Sequence, residues 1–141
     1  MSESTDEGLL DTSVVILLSQ LSDSTALPAV PRISSVTLAE LSVGPLVAQT
    51  DAERAARQAV LQQAEADFDP LPFDDRAARA FGRVAASLRT SGRTVKARSY
   101  DAMVAAIAIA NDLPLYTANP ADFVGIDGLD VHAVPVSHID R

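Results

Sequence analysis

Short apolar segments alternate with longer helical segments along nearly the whole chain, and this alternation limits the folds open to it. Five short segments are candidates for strands, at 8–11, 32–35, 68–71, 113–117 and 129–134. Segments with helical spacing lie between them. The first would be capped by Thr12 or Ser13, and the others span 37–47, 51–66, 74–90 and 101–110. Because strands that alternate with helices pair in parallel, we predict an α/β fold in which helices flank a parallel sheet of about four to five short strands.

The composition predicts one soluble domain with a substantial core. The chain has 141 residues, of which 48% are hydrophobic, and it has no cysteine, so disulfides and thiolate metal sites are excluded. The longest purely apolar stretch, 102–110, is far shorter than the roughly 20 residues of a membrane span. We predict a flexible N-terminal tail over residues 1–7, a single domain over 8–141, no membrane association and a cytoplasmic location.

Charge is distributed unevenly along the chain. The net charge of −8 argues against a general nucleic-acid binder. The segment 76–100, here called the basic segment, nevertheless holds seven basic residues and no acid. These residues are Arg76, Arg79, Arg83, Arg89, Arg93, Lys96 and Arg98. The segment is either a solvated helix face and loop or a contact surface for a polyanion.

Four acids each follow or begin an apolar segment: Asp11, Glu40, Asp101 and Asp122. In an open parallel sheet, reactive groups gather beyond the carboxyl ends of the strands, where the positive ends of helices also favour anions. Carboxylates brought together there repel one another, and a divalent cation relieves that repulsion. The pattern therefore predicts one all-oxygen metal pocket, which favours Mg²⁺ or Mn²⁺ over zinc.

Each acid also has an ordinary structural explanation. Glu40 would complete a capping box that begins at Thr37, and Asp101 would be the N-cap of the apolar helix. Asp122 would be a first-turn acid after a cap at Asn119, and Asp11 would be a turn residue. The two kinds of role are compatible, because a carboxylate at the start of a helix can also face a metal.

Four segments in order resemble the motifs of PIN domains, most closely those of VapC-type toxins from bacterial type II toxin–antitoxin pairs. They are Leu9-Leu10-Asp11-Thr12-Ser13, then Ser34 to Leu41, then Tyr100-Asp101-Ala102-Met103-Val104-Ala105-Ala106, and finally Leu115 to Phe123. The resemblance covers about residues 8 to 135 and implies a three-layer PIN-like fold. It also implies a magnesium-dependent endoribonuclease with an RNA substrate, a VapB-type antitoxin partner and a homodimeric toxin.

The resemblance assigns the catalytic and metal-binding roles to Asp11, Glu40, Asp101 and, less securely, Asp122. Many relatives have an acid at the position of Asn119, where this chain offers a neutral amide. Hydroxyls of Thr12, Ser13 and Thr117 are predicted to support the site, together with Asn119. The RNA-binding candidates are Arg89, Arg93, Lys96 and Arg98. His132 and His138 are expected at the surface rather than in catalysis.

Other functions remain open at this point. One alternative is a weakly active or inactive PIN-like interaction domain whose acidic pocket binds a basic partner segment. A phosphoacceptor signalling domain would require an acidic pair near the first strand, and Asp11-Thr12-Ser13 lacks it. A haloacid-dehalogenase-type phosphatase would require an acid where Ser13 stands.

Overall fold

Strands and helices alternate along the computed structural model, which describes residues 6–21, 24–94 and 98–135. The strands are β1 (Glu7–Leu10), β2 (Val30–Arg32), β3 (Leu115–Thr117) and β4 (Val131–Ala133). The α-helices are α1 (Thr12–Leu17), α2 (Ser35–Val43), α3 (Asp51–Asp67), α4 (Asp75–Thr90) and α5 (Ser99–Ala110). Short 3₁₀ turns occupy Leu18–Gln20, Ser24–Ala26, Gly44–Val47 and Pro120–Phe123. Across the described ranges, no helix has both the length and the apolarity needed to cross a membrane.

The four strands form one parallel sheet in the order β2-β1-β3-β4. Leu9 of β1 pairs with Arg32 on one side and with Leu115 on the other. Thr117, the last residue of β3, pairs with Ala133 of β4. Because every strand runs the same way, their carboxyl ends lie along one edge of the sheet, and the predicted α/β fold is confirmed.

Helices cover both faces of the sheet, which gives the predicted three layers. Successive strand residues point to opposite faces, so Leu9 and Leu115 pack with α4 and α5, whereas Leu10 and Tyr116 pack with α1 and α3. The nearly all-apolar α5 lies in the first of these layers and is buried at Ala102 and from Val104 to Ala108. Both cores are therefore built mainly from aliphatic side chains.

Some predicted boundaries differ from the structure. The segment 68–71 is not a strand, because Leu71 makes a single bridge to Ser34. The prolines on either side of Leu71, Pro70 and Pro72, have no amide donors with which to continue a ladder. At the other end of the chain, β1 begins at Glu7, one residue inside the segment predicted as a tail, and residues 1–5 lie outside the described ranges.

Gly8 is required by close packing inside the sheet. A Cβ atom at Gly8 would overlap the ring of Tyr116, which is buried on the neighbouring strand. We expect Gly8→Ala to lower the free energy of unfolding by about 1–3 kcal/mol, because a buried ring must move. Urea denaturation measures this, with Gly82→Ala in α4 as the control. A Cβ there meets nothing within 4 Å, so that variant should be slightly more stable. Equal effects at both positions would contradict the packing argument.

Candidate active site

The four predicted acids lie at the carboxyl edge of the sheet. Asp11 directly follows β1, and Asp122 lies in the 3₁₀ turn after β3. Glu40 lies in α2, and Asp101 lies in the first turn of α5. Each of the other three acids raises the pKa of Asp101. The structure therefore places Asp11, Glu40 and Asp122 within electrostatic range of Asp101, and the catalytic roles of the four acids remain a proposal.

Asp11 is the most fully held of the four acids, and its side chain is buried. Its Oδ1 atom accepts hydrogen bonds from the Ser13 hydroxyl at 2.6 Å and the Val14 amide at 3.1 Å. Its Oδ2 atom accepts a hydrogen bond from the Thr117 hydroxyl at 2.6 Å. Asp11 is thus the N-cap of α1, a role that the sequence suggested for Thr12 or Ser13, and that suggestion was wrong.

Backbone amides orient the two hydroxyls that face Asp11. The Ala118 amide donates to Ser13 Oγ at 3.1 Å, and the Asn119 amide donates to Thr117 Oγ1 at 2.9 Å. Each hydroxyl accepts from an amide and so directs its own proton to the carboxylate. The loop after β3 thereby fixes the position of a carboxylate more than a hundred residues earlier.

Glu40 is held by threonine hydroxyls. The Thr12 hydroxyl donates to Glu40 Oε1 at 2.5 Å, and its oxygen lies 2.9 Å from Thr37 Oγ1. Ser34 is the N-cap of α2 and accepts from the Thr37 amide, so the predicted capping box of Thr37 and Glu40 was wrong. Glu40 therefore faces the site from the second turn of α2. The sequence argument missed the supporting role of buried Thr37, although its position three residues before Glu40 offered a signal.

Glu40 and Asp101 both titrate above their ordinary range. Burial raises the pKa of the Glu40 carboxyl above 4.5, the Thr12 hydrogen bond lowers it, and the charge of Asp11 raises it. Burial also raises the pKa of Asp101 from 3.8 to about 6, and repulsion from the other three acids adds to the rise. The positive charge of Arg98 opposes it.

Asp101 does not cap α5, contrary to its predicted structural role. The helix begins at Ser99, and the cap position is occupied by Arg98, which makes no side-chain capping bond. Asp101 is consequently free of the capping function that would otherwise explain its presence. The N-cap explanation for this acid is removed, although it remains a first-turn acid of α5.

Arg98 pairs with two of the acids. Its Nη1 atom lies 2.7 Å from Asp122 Oδ1 and 3.8 Å from Asp101 Oδ2. All three side chains are about one-third exposed. The sequence placed Arg98 among residues for RNA, and nothing in the spacing indicated that it would contact the acids.

Asn119 occupies the cap position of the 3₁₀ turn that carries Asp122. Its side chain makes no capping hydrogen bond and is exposed, while its backbone carbonyl accepts from the Asp122 amide at 3.0 Å. This backbone bond does not test the supporting role predicted for the Asn119 side chain. A role for its side-chain amide stays a prediction.

The donor chemistry of the four acids fits a hard divalent cation. All of their donors are carboxylate oxygens, which suit Mg²⁺ and Mn²⁺. A cation would also relieve the repulsion that helps to raise the pKa of Asp101. Among the residues that the structure describes, no three acidic or histidine side chains are placed to ligate one ion together. An ion held here would therefore take one or two of these carboxylates as direct ligands and water in its other positions, as Mg²⁺ does in many proteins.

The remaining predicted RNA-binding residues lie at different distances from this site. Arg89 is exposed in the last turn of α4. The Nη1 atom of Arg93 donates to the backbone carbonyls of Ala121 and Val124, which ties the α4–α5 loop to the turn that carries Asp122. Lys96 lies outside the described residues. RNA binding by these residues stays a prediction.

The histidines do not join the acids in the part of the chain that is described. His132 is exposed in β4, where its ring lies 4.7 Å from the ring of Tyr116 and its Nε2 atom lies 3.1 Å from Asp130. The predicted surface position of His132 is confirmed. His138 lies outside the described residues.

A groove of about 730 Å³ opens beside the site. Thr12 and Glu40 lie at one part of its lining, and apolar side chains from α1, α2 and α3 form much of the rest, including Val15, Ile16, Leu41 and Val60. Ile16 is also 46% exposed, so apolar surface continues out of the groove. The acidic site is thus continuous with a surface that can bury apolar side chains.

The Thr117–Asp11 hydrogen bond gives a stability prediction. Thr117→Val keeps the shape of a fully buried side chain but removes the donor to a buried carboxylate. We expect the free energy of unfolding to fall by about 1.5–3 kcal/mol, measured by urea denaturation. Thr90→Val is the matched control, because the Thr90 hydroxyl makes an exposed bond to Ala86 and its loss should cost under about 0.5 kcal/mol. Equal losses would show that the buried bond contributes nothing special.

The chain resembles known proteins in sequence and in fold. Residues 8–129 match the PIN domain family. The chain is 43% identical over 131 residues to Ribonuclease VapC5 of Mycobacterium tuberculosis, covering 91% of this chain and 93% of that one. It is 29% identical to Ribonuclease VapC1 of Rickettsia felis over 129 residues, covering 89% and 95%. The crystal structure of VapBC-5, a member of the VapBC family of toxin–antitoxin systems from M. tuberculosis, matches with a TM-score of 0.79 and 40% identity, covering 92% of this chain and 99% of that one.

Proposed function

The chain belongs to the PIN-domain family and, within it, to the VapC ribonucleases, and on this basis we propose that it is a metal-dependent endoribonuclease that serves as the toxin of a toxin–antitoxin pair. The observation that carries the proposal is the gathering of the four acids at the carboxyl edge of the sheet, where they repel one another. A ribonuclease explains why a fold would keep this unfavourable arrangement.

Asp11, Asp101, Glu40 and Asp122 are the residues that would hold Mg²⁺, or Mn²⁺ as a substitute, some of them directly and the others through bound water. When bound, the cation supplies a Lewis acid that activates water and offsets negative charge on the scissile phosphate. The protein contributes the placement of the carboxylates. Hydroxyls of Ser13 and Thr117 fix both oxygens of Asp11, and the hydroxyl of Thr12 fixes Glu40.

Asp101 is the first candidate among the carboxylates to accept a proton from water during hydrolysis. In the metal-free protein, burial and repulsion from the other acids raise its pKa to about 6. A carboxylate that titrates near the working pH combines adequate basicity with the deprotonated form. The raised pKa of Glu40 makes it the second candidate for the same role.

The RNA backbone would be held by four residues of the basic segment, Arg89, Arg93, Lys96 and Arg98. Arg89 is exposed on α4, and Arg98 already lies at the acids. Phosphate contacts of this kind supply affinity and position the strand, but they do not select a sequence. The site therefore accounts for cleavage of a phosphodiester bond without defining which RNA is cut.

A VapB-type antitoxin is the proposed protein partner, and the groove beside Glu40 is its proposed binding surface. An amphipathic segment could bury apolar side chains in the groove and extend a basic side chain to the acids. The toxin itself is expected to form a homodimer, as its relationship to VapC toxins implies. Co-purification with the antitoxin and light scattering of the free toxin measure both expectations.

The alternative is an interaction domain with little or no activity, whose acidic pocket binds a basic partner segment. One observation favours this alternative: the ion pair of Arg98 with Asp122 shows that the pocket accepts a guanidinium. An RNase assay separates the two functions. The alternative predicts tight binding of a basic antitoxin segment and no cleavage under any metal condition.

The test of the main proposal is cleavage of end-labelled single-stranded RNA and total cellular RNA by the purified chain. We expect cleavage with Mg²⁺ or Mn²⁺, none with EDTA, and inhibition by the antitoxin. Mapping the cleaved ends would identify the substrate. Cleavage that survives EDTA, or complete inactivity on every RNA with both metals, would overturn the proposal.

A further inference from the structure

Arg98 is positioned as part of the acidic site rather than as part of an exposed RNA-binding surface. One guanidinium nitrogen, Nη1, lies 2.7 Å from Asp122 and 3.8 Å from Asp101. The positive charge of Arg98 also lowers the pKa of Asp101, whereas the other three acids raise it. A cation in the middle of mutually repelling carboxylates stabilises their charged forms.

A divalent cation and the guanidinium of Arg98 cannot both occupy the space beside the same carboxylate oxygens. Both bind the negative charge of Asp101 and Asp122, and each repels the other at distances of a few Å. A guanidinium satisfies carboxylates through hydrogen bonds, whereas Mg²⁺ requires a direct oxygen ligand or an intervening water. The two cations therefore compete for the same pair of acids.

We propose that Arg98 is an internal counter-ion of the site, which pairs with Asp122 and Asp101 in the metal-free protein and leaves when a divalent cation binds. The proposal rests on the proposed function for the presence of the metal. It adds a switch in the chain itself: one arginine neutralises the site before the metal arrives and is released afterwards.

The position of Arg98 in the fold permits this exchange. Arg98 is the residue immediately before α5, its backbone is not helical, and its side chain is about one-third exposed. A long side chain at a helix boundary can change rotamer without moving the helix. Asp101 is anchored in α5 itself, so the arginine can leave while this acid stays in place.

Release of Arg98 would also connect metal binding to RNA binding. Freed from the carboxylates, the guanidinium lies next to the site where a scissile phosphate must sit, and arginine binds phosphate well. Removal of Arg98 should therefore have opposite effects on two ligands. Metal binding should become tighter, and RNA binding in the presence of metal should become weaker.

The experiment measures Mn²⁺ affinity by electron paramagnetic resonance or calorimetry on the full chain without RNA. Arg98→Gln removes the charge, Arg98→Lys keeps it, and Arg79→Gln removes an exposed charge on α4 as the control for net charge. We expect Arg98→Gln to bind Mn²⁺ roughly three- to tenfold more tightly than the natural chain. Arg98→Lys should lie close to the natural chain, and Arg79→Gln should change affinity by less than about twofold.

Two further readouts distinguish a counter-ion from a structural arginine. The rise in melting temperature from EDTA to excess Mn²⁺ should be larger for Arg98→Gln than for the natural chain. With metal present, Arg98→Gln should bind RNA more weakly than Arg79→Gln does. A metal affinity that is unchanged or weaker in Arg98→Gln overturns the counter-ion proposal while leaving the nuclease intact. If neither protein binds metal, the metal-dependent nuclease fails with it.

Discussion

Asp11→Asn and Asp101→Asn are each expected to leave the chain folded and to reduce RNA cleavage by about a hundred- to a thousandfold or more. Each change keeps the shape of the side chain and removes the negative charge that a hard cation requires. Asn also caps helices well, so Asp11→Asn should retain the start of α1. Single-turnover cleavage of labelled RNA in Mg²⁺ measures the loss, and circular dichroism measures the fold.

The matched control for this pair is Asp69→Asn, which removes an exposed acid from the loop before α4. Its cleavage rate should stay within about twofold of the natural chain. Full activity in Asp11→Asn or in Asp101→Asn would remove that residue from the site. Loss of activity together with loss of the folded circular dichroism signal would assign the residue to folding instead.

The second large effect runs against intuition: Asp101→Asn should make the metal-free protein more stable near neutral pH. The folded pKa of Asp101, about 6, lies above its ordinary value of 3.8, so folding favours the protonated carboxyl. The stability that this preference provides is complete below about pH 4 and is lost as the pH rises through 6. The variant does not titrate at this position and keeps its stability.

The size of this effect follows from the shift. The full difference corresponds to about 3 kcal/mol, and exposure of 34% of the Asp101 side chain reduces it to about 1–1.5 kcal/mol. Urea denaturation in EDTA from pH 4 to pH 8 should show the two proteins converging at low pH and the variant ahead at pH 7–8. Asp69→Asn keeps Asp101, so its stability should follow that of the natural chain across this pH range. A variant that is less stable than the natural chain at pH 7–8 would contradict the effect assigned to burial of Asp101 and to repulsion from the other acids.

This combination of lost activity and gained stability is typical of a functional site. A fold under no functional demand would not keep a carboxylate that destabilises it. The repulsion at Asp101 is the cost of gathering charges that a cation and a substrate phosphate later use. The same logic explains why Thr12, Ser13 and Thr117 hold the neighbouring carboxylates so fully.

The alternation of apolar segments and helices was sufficient to predict the fold from the sequence. Parallel pairing follows from helices between strands, and acids after strand ends must then lie along one edge. Local boundaries were harder to predict because they depend on tertiary contacts. The segment 68–71 looks like a strand but makes a single bridge, and the caps of α2 and α5 are not the residues that the sequence favoured.

Which side chains of the site contact one another could not be predicted from the sequence. The Thr117–Asp11 bond joins residues 106 positions apart, and the Arg98–Asp122 pair joins residues 24 apart. Neither contact has a local sequence signature. The first depends on the order of strands in the sheet, and the second depends on where α5 begins. Sequence identified the residue types, and the fold determined which of them meet.

The most direct test of the central claim is the position of a bound Mn²⁺ ion in crystals of the full chain, located by anomalous diffraction. We predict one or two peaks within reach of Asp11 and Asp101, directly or through water, with Glu40 and Asp122 in the surrounding shell and with Arg98 turned away. Manganese that binds elsewhere on the molecule, with the space between these carboxylates empty at saturating metal, would contradict the account.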